Sequence, residues 1–243
     1  MDAAVSVNTI RNNLESVLGR IAHAAGSVGR EPDAVRLVVV TKGHSVQRIQ
    51  AAVDAGACLL GENYVEEALD KMVSLSNRIG VEWHMIGHIQ SRKASLVSEN
   101  FSFVHSLDSI KLASRLNRYA GEAGRRLPVL LECNVSGEES KFGFPTWDDA
   151  QWQPFFEQAA QIAGLEHLSV RGLMTLAPFF DEAEPARPYF QRLARLRDSL
   201  AAKIPQANWG DLSMGMSGDF EVAVQEGATM LRIGQAILGP RPT

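Results

Sequence analysis

The sequence predicts an α/β fold, a single (β/α)8 barrel of the TIM type with one extra helix in front of it. Three observations predict it. Eight short apolar runs, near 35–41, 57–60, 82–86, 101–105, 128–135, 168–173, 209–213 and 228–233, are separated by helical patterns. Strand–helix alternation implies right-handed crossovers and a parallel sheet. Eight such units in 243 residues, 45% of them hydrophobic, match the size of one barrel folding as one domain over 1–243.

The leading helix shows in Ile10, Leu14, Val17, Leu18 and Ile21, a period near 3.6, with Gly26 and Gly29 ending it. Next comes Val35-Arg-Leu-Val-Val-Val-Thr41, a β-branched run too short for a helix. It reads as a strand buried on both faces, as in parallel sheets. Val46, Ile49 and Val53 behind a Ser45 N-cap mark the helix that follows. Phe190, Leu193, Leu196 and Leu200 mark a long helix after Pro188. An open doubly wound sheet is the competing architecture. It favours a Gly-rich first turn, and Thr41-Lys42-Gly43-His44 lacks the G-x-G-x-x-G pattern. The eighth strand ends ten residues before the last residue, so no second domain is expected.

The formal net charge of -4 carries no basic excess, which argues against nucleic-acid or anionic-membrane surfaces. No apolar stretch approaches the roughly 18 residues of a membrane span. Residues 1–8 have neither a basic nor a long apolar region, so no secretory signal is expected. Two cysteines, Cys58 and Cys133, make no disulfide framework and read as buried packing residues. A cytoplasmic protein is the expectation.

In such barrels the site lies at the C-terminal ends of the strands. Lys42 directly follows the first strand. A lysine there is ordinarily solvated, but at a barrel mouth partial desolvation lowers the amine's pKa and favours Schiff-base formation with an aldehyde. Gly234 and Gln235 follow the last strand, where glycine lets a ligand approach and free N–H groups at a helix start bind phosphate. Ser213 and Ser217 lie beside two glycines after the seventh strand, and Ser217 also suits the N-cap of the next helix. Arg232, inside an apolar strand, is either ion-paired or aimed at a ligand. His84 and His88 have the spacing of a metal pair on a helix, but they stand in a strand and no H-E-x-x-H is present; no metal is expected.

These stretches together resemble the pyridoxal phosphate homeostasis protein family, whose barrel is similar to the N-terminal domain of alanine racemase. The resemblance covers nearly the whole chain. It is carried by Val39-Val-Thr-Lys42, Gly61-Glu-Asn-Tyr64, Trp83-His-Met-Ile-Gly-His-Ile-Gln90, Asn134-Val-Ser-Gly-Glu-Glu-Ser-Lys-Phe-Gly143, Arg171-Gly-Leu-Met-Thr175, Leu212-Ser-Met-Gly-Met-Ser217 and Val222 through Arg232-Ile-Gly234. It implies the fold type III barrel without the C-terminal β domain, and pyridoxal 5'-phosphate (PLP) held as an aldimine on Lys42. It implies Arg232 near the pyridine nitrogen, Ser217 and the Gly234 and Gln235 amides at the phosphate, and Asn63 and Met214 in the pocket. Two departures stand out: Gly43-His44, where the family often has Thr or Lys then Pro, and Arg92 in place of a usual Asn.

The resemblance further implies a protein that binds, buffers or delivers PLP, with apo PLP-dependent enzymes as possible recipients and a monomeric or weakly dimeric state. An amino-acid racemase is the alternative, and a Schiff-base aldolase a distant third. An arginine at the ring nitrogen cannot take that nitrogen's proton, which weakens PLP as an electron sink. Racemisation also needs a second base on the far face. In the racemase that base comes from a second domain, and Tyr64 is the tyrosine of this chain best placed to replace it. No catalytic residue is therefore assigned.

Overall fold

The computed structural model describes residues 7–241. Residues 1–6, which include most of the segment read as lacking a signal, lie outside them. Among the described residues, eight parallel strands close into a barrel. They are β1 (Arg36–Val40), β2 (Leu59–Glu62), β3 (Glu82–Met85), β4 (Phe103–Leu107), β5 (Leu127–Asn134), β7 (Leu168–Met174), β8 (Asp211–Ser213) and β9 (Met230–Ile233). The order is β4-β3-β2-β1-β9-β8-β7-β5, and a β4–β5 pairing closes the ring. A two-residue strand, β6 (Phe144–Pro145), hangs on the end of β5 outside the ring.

The helices are α1 (Val7–Gly26), α2 (Val46–Asp54), α3 (Val65–Ser74), α4 (Ala94–Asn100), α5 (Ile110–Glu122), α6 (Trp152–Ala163), α7 (Arg187–Lys203), α8 (Phe220–Gln225) and α9 (Gln235–Leu238). Helix α1 buries Ile10, Leu14, Val17 and Ile21 on one stripe and leaves Leu18 exposed. It packs on α2, α8 and α9. Ser45 stands at the N-cap of α2 with an extended backbone, and α7 begins one residue before Pro188. Pro188 suits that first turn, where its missing N–H costs no hydrogen bond. No helix among the described residues is long and apolar enough to cross a membrane.

The eight runs of the sequence are the eight barrel strands. Strands β2 and β4 end two residues later than their apolar runs, because Gly61 and Glu62 continue β2 and Ser106 and Leu107 continue β4, all four buried. Inside the ring, Phe103, Leu130, Met174 and Met230 form a small apolar layer separate from the main barrel–helix core. At the N-terminal ends of the strands, Arg36 reaches Asp211 at 2.5 Å. Strand β7 lies close against β8 at Gly172, where an added Cβ would come within 1.8 Å of the Asp211 carbonyl oxygen.

Candidate functional site

Thr41, Lys42 and Gly43 leave β1 at the barrel mouth. The Thr41 N–H donates to the Gly61 carbonyl of β2, which carries the ladder one residue past the strand. A buried ionic cluster then fixes the turn. Lys71 Nζ of α3 donates to the Thr41 carbonyl at 2.8 Å and to Glu62 and Glu67, both at 2.6 Å. The Thr41 hydroxyl also donates to Glu62, and the Gly43 N–H donates to Glu67, each at 2.6 Å. Gly43 has φ +71, a conformation glycine adopts without cost, and a Cβ there would lie 3.1 Å from Arg241 Cδ. The family departure at this position therefore has a local reason: the turn is left-handed, and Arg241 packs over it.

Lys42 itself is half-buried. Burial holds its amine below the ordinary lysine pKa; Arg241 and Arg232 act the same way, against Glu62 and Glu67. A larger neutral fraction is what an amine needs to attack a carbonyl carbon.

Arg232 on β9 is 4% exposed and points into the ring. Among the described residues no ion pair holds it. Its Nη1 donates to Ser213 Oγ at 2.5 Å and its Nη2 to the Thr175 carbonyl at 2.8 Å. Burial lowers its pKa to about 10, with Asp219 and Glu132 opposing, so it stays a cation at neutral pH. From Ser213 the chain of contacts runs on through the barrel. His105 Nδ1 lies 2.8 Å from Ser213 Oγ, and His84 Nδ1 lies 2.9 Å from His105 Nε2. Burial lowers the pKa of both imidazoles, that of His84 to about 4, so both are neutral. One direction of donation uses every proton: Arg232 to Ser213, Ser213 to His105 Nδ1, and His105 Nε2–H to His84 Nδ1. The remaining His84 proton, on Nε2, faces Glu82 at 3.8 Å. His84 is thus an interior residue, whereas His88 lies at the mouth, bonded to Asp108 at 2.9 Å and stacked on Phe142. The structure does not bring these two histidines together.

The loops after β8 and β9 meet above this layer. The Ala236 N–H donates to Ser217 Oγ at 3.4 Å. Gly234 is the N-cap of α9, and a Cβ on it would lie 3.0 Å from the Val40 carbonyl oxygen, so glycine permits close seating on β1. Gln235 opens α9 and is exposed. The N-cap of α8 is Asp219, not Ser217; Asp219 Oδ1 accepts the Met216 N–H at 2.6 Å, which leaves Ser217 in the loop. Asn63 lines a cavity of about 540 Å³, together with Tyr64, His88, Arg92, Glu132 and Phe142. That volume suits a small-molecule site. Met214 is fully buried and packs into the main core, and neither it nor Lys42, Ser217, Arg232, Gly234 or Gln235 is among the residues lining that cavity. Cys133 is buried as expected, but Cys58 is exposed, because it precedes β2 at the outer end of the barrel.

Sequence reasoning missed Glu62, Glu67, Lys71, His105, Glu132 and Arg241. Glu67 and Lys71 stand four apart on α3, the one local signal available. The rest are polar residues within or beyond apolar strands, whose direction only the closed barrel reveals.

The family described as "Alanine racemase, N-terminal domain" matches residues 6–242. A Vibrio alginolyticus protein named pyridoxal phosphate homeostasis protein is 40% identical, over 97% of this chain and 99% of its own length. Its namesake from Escherichia coli K12 is 38% identical over 97% and 98%. The Synechococcus elongatus protein PipY, solved with PLP bound, aligns with a TM-score of 0.78 and 35% identity, covering 90% of this chain and all of PipY. Alanine racemase of Clostridium difficile 630 shares the fold alone, with a TM-score of 0.69, 16% identity and 58% of its length covered. With near-complete coverage on both sides and identity well above the racemase level, the chain belongs to the pyridoxal phosphate homeostasis protein family, within the alanine racemase N-terminal domain family.

Proposed function

We propose that this protein binds PLP and serves as an intracellular carrier that buffers or delivers it. The observation that carries this reading is the half-buried amine of Lys42, on a turn whose flanking Thr41 and Gly43 are held by an ionic cluster and within the field of the Arg232 guanidinium. The donor set fits the group. PLP supplies an aldehyde for a primary amine and an electron-withdrawing ring. Lys42 Nζ is the attachment point. Arg232, with two of its five N–H groups engaged among the described residues, has donors left for a ring nitrogen. Ser217 and the backbone amides of Gly234 and Gln235 are the phosphate donors, and Asn63 belongs to the pocket wall. Met214, buried directly after β8, is the second pocket residue of this reading.

The reading is of a carrier rather than a catalyst. Arg232 donates only, and its two bonded partners are the Ser213 hydroxyl and the Thr175 carbonyl, so the group offered to the ring nitrogen does not stabilise a protonated ring. Free PLP-dependent apo-enzymes are the proposed recipients, and a monomer or weak dimer the proposed state. The two free thiols agree with a cytoplasmic location. The test is a single preparation with two readouts. Protein loaded with PLP should be yellow, and borohydride followed by peptide mapping should fix the cofactor to Lys42. Chiral chromatography after long incubation with L-amino acids should show no racemised product beyond background. A label on Lys93 or Lys141 sinks the attachment; turnover near or above about 1 s⁻¹, the ordinary enzyme range, sinks the carrier reading.

Ser217→Ala provides a further check on the phosphate end. A charge-assisted hydrogen bond contributes roughly 1.5–3 kcal/mol, so the variant should bind PLP about tenfold or more weakly. Its affinity for pyridoxal, which has no phosphate, should hardly change. Equal losses for the two ligands would remove Ser217 from the phosphate site.

A further inference from the structure

Glu132 has no role in the reading above, yet it lines the cavity that Asn63 also lines and lies in the field of Arg232. It lies on β5 two residues beyond Leu130, which belongs to the interior apolar layer. Side chains two apart on a strand share a face, so Glu132 points inward at the mouth, and it lines the 540 Å³ cavity. It is only 6% exposed. Its carboxylate receives no hydrogen bond from the described residues, and no ion pair joins it to Arg232 although each feels the other's field.

A buried carboxyl without a partner is costly when charged. Among the groups around it, Asp108 after β4 opposes the charge and Arg232 on β9 favours it. His88, Glu66, Arg92 and Lys93 line the same cavity, Lys93 paired with Glu66. Burial first, then Asp108, outweigh Arg232 and raise the carboxyl pKa to about 7. A ligand with a phosphate brings further negative charge into the mouth, and negative charge favours the protonated form of a neighbouring carboxyl.

We propose that Glu132 is a carboxylic-acid contact of the bound ligand: it takes a proton from solvent as PLP enters and donates its O–H to a ligand oxygen, which makes the hold on PLP proton-linked. This rests on the PLP reading and adds regulation to the same site. The sign follows from linkage. Free protein near pH 7 has this carboxyl about half protonated, so binding draws in about half a proton through Glu132. Relative to a variant without this carboxyl, affinity should be flat in acid and fall as pH rises above about 7, by up to about tenfold per unit, until the bound-state pKa is passed.

The experiment is calorimetric titration of PLP into the protein at pH 7, in buffers of different ionisation enthalpy, for wild type and Glu132→Gln. Protons exchanged by Lys42 and by PLP itself are common to both and cancel. Wild type should take up about half a proton more than the variant, and the variant should lose the fall in affinity above neutrality. Equal proton counts overturn the proposal, and so does an excess of release by wild type, which would make Glu132 an acceptor for a ligand cation. Binding to neither protein overturns the PLP reading instead. If the variant does not fold, 13C-glutamate NMR of wild type decides. The glutamate signal titrating near neutrality must move to higher pH when PLP is added; no movement, or movement to lower pH, rejects the proposal.

Discussion

Lys71→Met should lose about 3–5 kcal/mol of folding stability, the usual cost of removing one partner from a buried ion pair. The side chain of Glu62 is 0% exposed and that of Lys71 5%, so no water replaces the lost ammonium. Burial already raises the Glu62 pKa above its ordinary value, against the hydrogen bonds from Lys71 and Thr41; without Lys71 it rises further. A carboxyl with a raised folded-state pKa stabilises the fold fully in acid. That stabilisation fades as pH climbs from about 4.3, the unfolded value, through the folded value. The variant's deficit should therefore shrink toward about pH 5 and widen toward about pH 8. The double variant Lys71→Met/Glu62→Gln should recover much of the loss, because the one carboxylate left without its ammonium, Glu67, is partly exposed and keeps the Gly43 N–H. Urea unfolding at the two pH values is the measurement. A deficit below about 1 kcal/mol, the range of an exposed pair, would mean the cluster is solvated. Lys71 also holds the Thr41 carbonyl, so the variant should bind PLP more weakly even where it stays folded.

Gly172→Ala should be more damaging still, at upwards of about 4 kcal/mol, the range kept for core disruption and backbone strain. Gly172 has φ +147, and the new Cβ would stand 1.8 Å from the Asp211 carbonyl oxygen, 2.7 Å from its carbon and 2.9 Å from the Asp211 nitrogen. These are backbone atoms, so no rotamer change relieves the clash; β8 must move away from β7. The consequence reaches the site. Ser213, two residues past Asp211, and Thr175, just past β7, are the two acceptors of Arg232, and the Thr175 N–H donates to the Ser213 carbonyl at 3.1 Å. Separation of β7 from β8 would release the guanidinium. Gly164→Ala is the control, since a Cβ there would lie an ordinary 3.5 Å from the Gln161 carbonyl oxygen and its backbone is right-handed helical. Expected is an insoluble or strongly destabilised Gly172→Ala beside a Gly164→Ala within about 1 kcal/mol of wild type. Equal stability of the two variants would show that β8 accommodates the methyl freely.

What the sequence determined by itself is the order of elements and the end of the barrel that carries the chemistry. Apolar runs of strand length, separated by helical stripes, specify parallel strands because each must be covered on both faces. The strand ends at Lys42, Ser217 and Gly234 then follow from counting. What only the tertiary structure decided is which polar side chains turn inward and whom they meet. Arg232 meets Ser213 across 19 positions, His105 meets Ser213 across 108, and His84 meets His105 across 21. Those separations repeat no local period; they are set by ring closure, which brings β3, β4, β8 and β9 around one interior. The same closure leaves Glu132 inside the mouth with no hydrogen-bond partner among the described residues and gives Lys71 three acceptors at once. A polar residue in an apolar run reads as an interruption in one dimension. In the closed barrel it becomes a contact, because low dielectric and excluded water make each buried polar group depend on the neighbours the fold supplies.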